Sequence, residues 1–251
     1  GKMAIPSGLG LLTAGTIRLT LPDVEQAYKA ELLLKVSGTS YQNSYPLWIY
    51  PAKKQLKAGN VVVARQLTDD VLNALKQGGK VLLMPLEEDC KEVTVGGLFQ
   101  TDYWNYRMFK SICDRIKKPA SPGTLGILTN PEHPVFDDFP TEYHTNWQWY
   151  PLILDGMPKE YRPIVQVIDN VERNHKLGLL MELNVEGSKL LLCMSDLEAV
   201  RDTPEGLQFY AALLAYMNSS DFKPSTSLSV ESFKNLFETG VRKEGIKVLD
   251  N

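Results

Sequence analysis

The sequence predicts an α/β protein in which a mostly parallel sheet is flanked by helices and is preceded by a few antiparallel β-strands. Three observations lead to this fold class. Residues 16–50 contain short β-prone runs with alternating apolar residues, a strand–helix–strand pattern follows Pro51, and later strands are almost continuously apolar. The predicted boundaries are 1–51 for a remnant of a β-sandwich domain, 52–220 for the α/β domain, and 221–251 for a tail with a short docking helix.

The antiparallel strands are predicted at Thr16–Pro22, Ala30–Val36 and Tyr45–Tyr50. Apolar residues alternate with polar ones in these runs, which is typical of strands with one buried face. Three such strands need a second layer over their apolar face, and too few residues precede Ile17 to provide one. The segment therefore has the pattern of part of a β-sandwich.

The α/β pattern begins after Pro51. A β-branched run over Asn60–Ala64 predicts a strand, Thr68 can cap the helix that follows, and Gly78-Gly79 ends that helix. The all-apolar run Val81–Met84 is typical of a parallel strand that is covered on both faces. Together these elements predict a βαβ unit.

The remaining elements continue this pattern to the end of the α/β domain. A turn at residues 184–188 leads into a further strand, and Thr203-Pro204 opens a long helix. Phe233, Leu236 and Phe237 recur at helical spacing and predict the docking helix. The other predicted elements are an aromatic-rich helix at Tyr103–Ile116 and strands at Thr124–Thr129, Ile164–Ile168, Leu177–Leu183 and Lys189–Met194.

Composition excludes several classes of partner. The 251 residues carry 27 basic and 30 acidic side chains, giving a formal net charge of -3, and the basic residues form no cluster that could contact phosphates. No apolar run approaches the roughly 20 residues that span a bilayer. We therefore expect neither a nucleic-acid partner nor a membrane span.

Residues that bind metals or phosphates show no suitable spacing. Cys90, Cys113 and Cys193 lie far apart and predict buried thiols, and the three histidines do not share one helix face. Gly78-Gly79 and Gly96-Gly97 lack the further glycines and the Lys-Ser/Thr pair of a phosphate-binding loop. The sequence therefore predicts no metal site and no cofactor.

A catalytic residue is also not predicted. Cys193 is the nearest approach to a nucleophile, but its neighbours are bulky and apolar, which favours a core thiol over a strand-to-helix nucleophile turn. Asp196 follows the same strand and is expected to cap the next turn. An independent hydrolase is therefore the least favoured interpretation.

Two stretches are unusually rich in aromatic residues. One contains Trp104, and the other contains Trp147, Trp149 and Tyr150. Aromatic faces stack on sugars, so these four residues are candidates for carbohydrate binding. The alternative is that the rings are anchors in the core or at an interface, because large aromatic residues dominate packing there.

Two longer stretches resemble the carboxy-terminal region of bacterial glycoside hydrolases of family 2, the β-galactosidase-like group with a sugar-binding domain. Residues 43–51, with the sequence NSYPLWIYP, look like the last strand of the immunoglobulin-like domain of these enzymes. The second stretch runs from His133-Pro134-Val135-Phe136 through Asn146-Trp147-Gln148-Trp149 to residues 162–170 and 174–178.

This resemblance implies a truncated immunoglobulin-like domain followed by a domain similar to the class I glutamine amidotransferase fold, which is flavodoxin-like, without the catalytic residues. It also implies a periplasmic or extracellular location. The leading expectation is a non-catalytic accessory or oligomerisation domain whose partners are the other domains of a parent that cleaves β-linked sugars. The alternative is a carbohydrate-binding module, and the chain could also form a homo-oligomer.

Overall fold

The structure is a computed structural model that describes residues 2–52, 54–95, 106–117, 123–145, 152–170 and 173–238. In chain order, the strands are β1 Tyr28–Lys35, β2 Gln42–Ile49, β3 Val61–Ala64, β4 Lys80–Leu83, β5 Thr124–Thr129, β6 His144–Thr145, β7 Leu152–Ile153, β8 Val165–Asp169, β9 Lys176–Val185, β10 Ser188–Cys193 and β11 Ser227–Leu228. The helices are α1 Asp69–Lys76, α2 Glu87–Cys90, α3 Tyr106–Arg115, α4 Leu197–Val200, α5 Pro204–Asn218 and α6 Val230–Lys234, with 3-10 turns at Lys91–Val93, Pro134–Phe136 and Asn235–Phe237.

These elements form a mixed α/β structure with two sheets. β1 and β2 pair with each other as a small antiparallel sheet. The larger sheet has the strand order β3-β4-β10-β9-β8-β5-β6, and the short strands β7 and β11 both pair with β9. The α/β class that the sequence predicts is therefore confirmed.

The prediction of a mostly parallel sheet is wrong. β3, β4 and β10 are parallel, but every pairing from β10 through β9, β8 and β5 to β6 is antiparallel. The reason lies in the connections, because β9 and β10 are joined by the two-residue turn Glu186-Gly187, and a short link can only reverse the chain direction. A continuous apolar run indicates two covered faces but not the direction of the neighbouring strand.

The predicted first strand at Thr16–Pro22 is also wrong. These residues are exposed and adopt no regular structure, including the alternating Ile17, Leu19 and Leu21. Alternation creates a face that can be buried, but a strand also needs a partner for its backbone N–H and C=O groups. No described strand pairs with this segment.

Helices cover both faces of the larger sheet. On one face, the Ser188 hydroxyl donates to the Leu75 carbonyl of α1. On the other face, the Lys80 ammonium donates to the Met217 carbonyl of α5 at 2.8 Å. Lys80 pairs with Lys189, the neighbour of Ser188 in β10, so the two contacts lie on opposite faces. β4 and β10 are accordingly buried throughout their apolar residues.

The helix signals in the sequence act as predicted. The Thr68 hydroxyl accepts the Val71 N–H and caps α1, and α1 ends just before Gly78, which has a positive φ of 80°. Thr203 caps α5 in the same way through the Gly206 N–H at 3.1 Å. In the predicted tail, α6 spans Val230–Lys234, and Phe233 is fully buried.

Candidate functional site

The four predicted sugar-binding residues, Trp104, Trp147, Trp149 and Tyr150, lie outside the described residues. The remaining tryptophan, Trp48, is half-buried in β2 and has the Lys29 ammonium 5.7 Å from its ring centre. Among the described residues, candidate chemistry therefore comes from other side chains.

One edge of the larger sheet collects the ends of many strands. The parallel strands β3, β4 and β10 have their carboxyl ends there. Because β9 is antiparallel to β10 and β8 is antiparallel to β9, the start of β9 and the end of β8 lie at the same edge. In open α/β sheets, ligands bind beyond the carboxyl ends of the parallel strands. The candidate site of this molecule is therefore at this edge.

Beyond the carboxyl ends of the parallel strands, Arg65 and Asp196 form an ion pair. Arg65 follows β3, and its guanidinium lies 2.5 Å from Asp196 Oδ2, which follows β10. The other oxygen of Asp196 accepts the Ala199 N–H at 3.2 Å and caps α4, as the sequence predicts. Both carboxylate oxygens of Asp196 thus have structural partners.

The thiols near this edge are unsuited to nucleophilic chemistry. Cys193 is 1% exposed, and burial raises the pKa of its thiol to about 12. Burial, assisted by the Asp89 carboxylate, raises the pKa of Cys90 to about 11. Since the thiolate is the reactive form, both groups remain protonated core thiols at neutral pH. Cys113, in contrast to the prediction, is only partly buried.

A cluster of titratable groups surrounds Glu182 in β9, on the α5 face of the sheet. The Tyr216 hydroxyl of α5 donates to Glu182 Oε2 at 2.5 Å, and His133 Nε2 lies 4.0 Å from Glu182 Oε1. Burial and the Glu182 carboxylate raise the pKa of Tyr216. Burial lowers the pKa of His133, although Glu182 and Asp137 act in the opposite direction. His133 is therefore neutral at physiological pH.

The lone pair of the neutral His133 ring is used within the protein. Nδ1 accepts the Val135 N–H at 3.3 Å and begins the 3-10 turn that follows, while Nε2 faces Glu182. The ring also packs edge-on against Tyr216, with centroids 5.3 Å apart. A general base needs a free lone pair on a ring nitrogen, and in His133 that lone pair accepts the Val135 N–H. This cluster therefore joins the segment after β5 to β9 and α5.

At the antiparallel half of the edge, Asp169 organises the turn between β8 and β9. Its side chain is 1% exposed and accepts the guanidinium of Arg173 at 2.6 Å. It also accepts the backbone N–H of Asn170 at 2.8 Å and that of His175 at 3.0 Å. Arg173 continues to the Gly123 carbonyl at 2.8 Å, just before β5. The turn is thereby tied to three strands.

Beside this turn, Asp155 and His175 form a carboxylate–imidazole pair. Asp155 follows β7, whose pairing with the start of β9 brings it next to His175. His175 Nδ1 lies 2.7 Å from Asp155 Oδ2, and Asp155 Oδ1 accepts the Lys176 N–H at 2.8 Å. His175 Nε2 has no partner among the described residues. This pair thus differs from the His133 cluster by offering a free ring nitrogen.

The loop at residues 156–162 contacts Lys176, the neighbour of His175 in the chain. The Lys176 ammonium donates to the carbonyls of Pro158 and Lys159 at 2.8 and 3.3 Å and lies 5.8 Å from the ring centre of Tyr161. Burial, together with Arg162, lowers the pKa of Lys176. The hydrogen bonds of the Lys176 ammonium tie the loop to the start of β9. Both acidic and basic side chains surround this ammonium group.

A concave region lies away from this edge, along α5. The cavity has a volume of about 530 Å³ and is lined by Lys54, Gln55, Lys57, Gly59, Ala211, Ala215 and Asn218. Asn218 Nδ2 lies 3.4 Å from the Lys57 carbonyl, 3.1 Å from the Ala58 carbonyl and 2.9 Å from the Leu214 carbonyl. The amide thus fixes the connection between the two sheets against the end of α5.

Neither a metal centre nor a membrane helix is found in the described ranges. They contain no group of three or more His, Cys, Asp or Glu side chains placed to hold a metal ion. None of their helices combines the length and the apolar character that crossing a membrane requires. The absence of a membrane-spanning helix agrees with the sequence prediction for the described residues.

Sequence reasoning missed both carboxylate–histidine pairs. Asp155 and His175 are 20 residues apart, and they meet only because the two-residue strand β7 pairs with β9. Glu182 and His133 meet through a loop. The sequence offers one weak signal for the Asp155–His175 pair, namely that Asp155 and Asp169 each lie beside a strand and near His175. Many other acidic residues of this chain also lie beside strands, so the signal is not specific.

Two family models match the chain. Residues 62–238, well over half of the chain, match the family described as Domain of unknown function (DUF8487). Residues 2–51 match the family described as Domain of unknown function (DUF8488). No curated protein matches the chain. The first match spans the larger sheet with its helices, and the second spans the β1–β2 sheet and the segment before it.

Proposed function

We propose that this chain, which belongs to the family described as Domain of unknown function (DUF8487), is a non-catalytic accessory part of a larger glycoside hydrolase that acts on β-linked sugars. In this proposal the β1–β2 sheet and the segment before it pack against another domain of the same enzyme. The larger sheet would be a relative of the class I glutamine amidotransferase fold that has kept the scaffold without its chemistry.

The observation that carries this proposal is the distribution of exposed apolar residues. Fourteen of the twenty-two exposed large apolar side chains among the described residues lie before residue 46. Contiguous exposed apolar surface is uncommon on isolated soluble domains and marks surfaces that contact other proteins. The larger sheet has no comparable concentration in its described residues.

Within β1 and β2, the register places most of the apolar side chains of the two strands on one face. Cross-strand partners share a face, so Tyr28 with Ile49, Ala30 with Leu47 and Leu32 with Tyr45 form an apolar side. The opposite side carries most of the charged and polar residues: Lys29, Glu31, Lys35, Gln42 and Ser44. An apolar sheet face is normally covered by a second layer about 10 Å away. A sheet of another domain would supply that layer.

Contacts with the larger sheet domain hold this face in a defined orientation. Lys29 Nζ lies 2.6 Å from Glu142 Oε1, and the ring of Tyr50 stacks on Phe139 with centroids 5.9 Å apart. Burial raises the pKa of Tyr50 to about 12. These contacts fix the small sheet on the larger sheet domain before any partner binds. A surface that is already fixed loses less entropy when it docks.

The identity of the parent rests on the family 2 glycoside hydrolase resemblance of residues 43–51 and 133–178. A periplasmic or extracellular location belongs to the same proposal. The chain alone is then expected to leave aryl β-glycosides intact, and robust hydrolysis by a purified sample would contradict the accessory role.

The docking surface is tested by amide hydrogen exchange. The experiment compares the chain alone with the same residues in the full-length natural protein, and we expect β1 and β2 to exchange at least about tenfold more slowly in the latter. Leu32→Asp, on the apolar face, should abolish this protection, whereas Leu33→Asp, on the opposite face, should leave most of it. Equal exchange in both samples would overturn the proposal.

A second candidate function is carbohydrate binding, and the Asp155–His175 pair favours it. The free Nε2 of His175 is a hydrogen-bonding group held by a carboxylate at 2.7 Å, in addition to the tryptophans that the sequence singles out. Titration with a glycan panel should then quench tryptophan fluorescence and raise the melting temperature. A flat response across the panel would remove this candidate and leave the accessory role unaffected.

A further inference from the structure

We infer that the Asp155–His175 pair binds a hydroxyl group of a neutral, polyhydroxylated ligand such as a sugar, with His175 Nε2 as the hydrogen-bond acceptor. This inference rests on carbohydrate binding, the second candidate function, and assigns it to described residues. It concerns the antiparallel half of the sheet edge, where β7, β8 and β9 meet.

The first argument is the fixed orientation of the imidazole. The Asp155 carboxylate is held by the Lys176 N–H at 2.8 Å and receives His175 Nδ1 at 2.7 Å. The backbone of His175 is held separately, because its N–H donates to the buried Asp169 at 3.0 Å. A carboxylate at Nδ1 places the proton there and leaves the lone pair on Nε2.

The second argument is that this lone pair is accessible. The side chain of His175 is 16% exposed, and Nε2 has no partner among the described residues. A partly buried acceptor that is already oriented loses little entropy when a ligand hydroxyl donates to it. His133 provides the contrast, since its two ring nitrogens face the Val135 N–H and Glu182.

The third argument concerns the charge of the ligand. The groups acting on the Lys176 ammonium include one further cation, Arg162, and two carboxylates, Glu160 and Asp155. The Arg173 guanidinium is neutralised by Asp169 at 2.6 Å. A phosphate would need unbalanced cations, and a metal ion would need unbalanced carboxylates. Balanced charge with an oriented acceptor suits a neutral ligand that offers O–H donors.

The experiment measures sugar affinity of the whole chain by tryptophan fluorescence and by ligand-detected NMR with the same glycan panel. We expect His175→Gln and Asp155→Asn each to weaken binding about tenfold, the loss of one oriented hydrogen bond. The matched control is His133→Gln, which replaces the other described histidine near a carboxylate and should leave affinity within about twofold. Circular dichroism establishes that each variant is folded.

A second readout does not depend on the variants. In wild-type protein, nitrogen NMR should find His175 protonated at Nδ1, and sugar should shift the Nε2 resonance while leaving that of His133 in place. A sugar response that survives both His175→Gln and Asp155→Asn, or an Nε2 resonance that sugar does not move, overturns this site while carbohydrate binding stands. A flat response of wild-type protein overturns both.

Discussion

Two of the antiparallel hairpins, β1–β2 and β9–β10, differ in almost everything except their strand pairing. In β9–β10, Leu190, Leu191 and Leu192 are fully buried, because α1 and α5 cover the two faces of the sheet. In β1–β2, Leu33 and Leu34 are each 41% exposed. Both hairpins keep a continuous register. The difference teaches that two adjacent strands can pair in register whether or not other layers cover them, whereas burial of their side chains comes from the layers packed on the sheet.

The two regions should differ most in the free energy of unfolding that is lost when a charged pair is removed. Asp169→Asn removes the buried partner of Arg173 and should lower the free energy of unfolding by about 3 kcal/mol. Glu142→Gln removes the pair with Lys29, in which the side chains are 41% and 42% exposed, and should cost less than about 1 kcal/mol. Urea unfolding of both variants measures the two values. Similar costs would contradict the contrast.

Replacing one leucine by alanine in each hairpin should give the next largest difference in the free energy of unfolding. Leu190→Ala leaves a cavity in β10 and should cost about 3 kcal/mol. Leu32→Ala, at a half-buried position of β1, should cost less than about 1 kcal/mol in the isolated chain. Chemical denaturation provides the measurement, and a loss at Leu32 as large as that at Leu190 would mean that the β1–β2 face is already covered.

The pH dependence of stability should come from the larger sheet domain through His133. Burial lowers the pKa of this histidine below its usual 6.5, so the unfolded chain binds more protons between 6.5 and the lowered pKa. Stability is therefore fully retained above pH 6.5 and should fall as the pH decreases through this range. Melting curves of wild type and His133→Gln should diverge least at low pH. Parallel pH profiles would exclude His133 as the source.

The smallest effects concern the two turns. Gly187 and Gly38 have positive φ values of 92° and 79°, and a Cβ at either position would meet no atom within 4 Å. Alanine at either position therefore costs only backbone strain, about 1 kcal/mol. Gly187→Ala should lower global stability by that amount. Gly38→Ala should speed amide exchange in β1–β2 alone, and a change in the global melting temperature would show that the hairpins unfold together.

Most elements of the larger sheet follow from local signals in the sequence. Thr68 and Thr203 are caps, and the residues around Gly187 form a tight turn, so the elements beside them are predictable from a few residues each. Strand direction was not predictable, because it depends on which strands become neighbours. The strand at Thr16–Pro22 failed for a related reason, since alternation describes a face but not a pairing partner.

The candidate site was much less predictable than the fold. Asp155 reaches His175 through the pairing of a two-residue strand, and Glu182 reaches His133 across a loop. Contacts of this kind depend on tertiary geometry that leaves no periodic signal. The prediction of sugar-binding tryptophans remains a prediction, because Trp104, Trp147 and Trp149 lie outside the described residues.

The Asn218 amide has a mechanical consequence for the connection between the two sheets. Its side chain joins the carbonyls of Lys57 and Ala58 to the last turn of α5. A pulling force on the β1–β2 sheet would therefore act on the last turn of α5 as well as on β3. The connector is thus fastened to the longest helix of the described residues, and a partner that pulls on the first sheet would also pull on this helix.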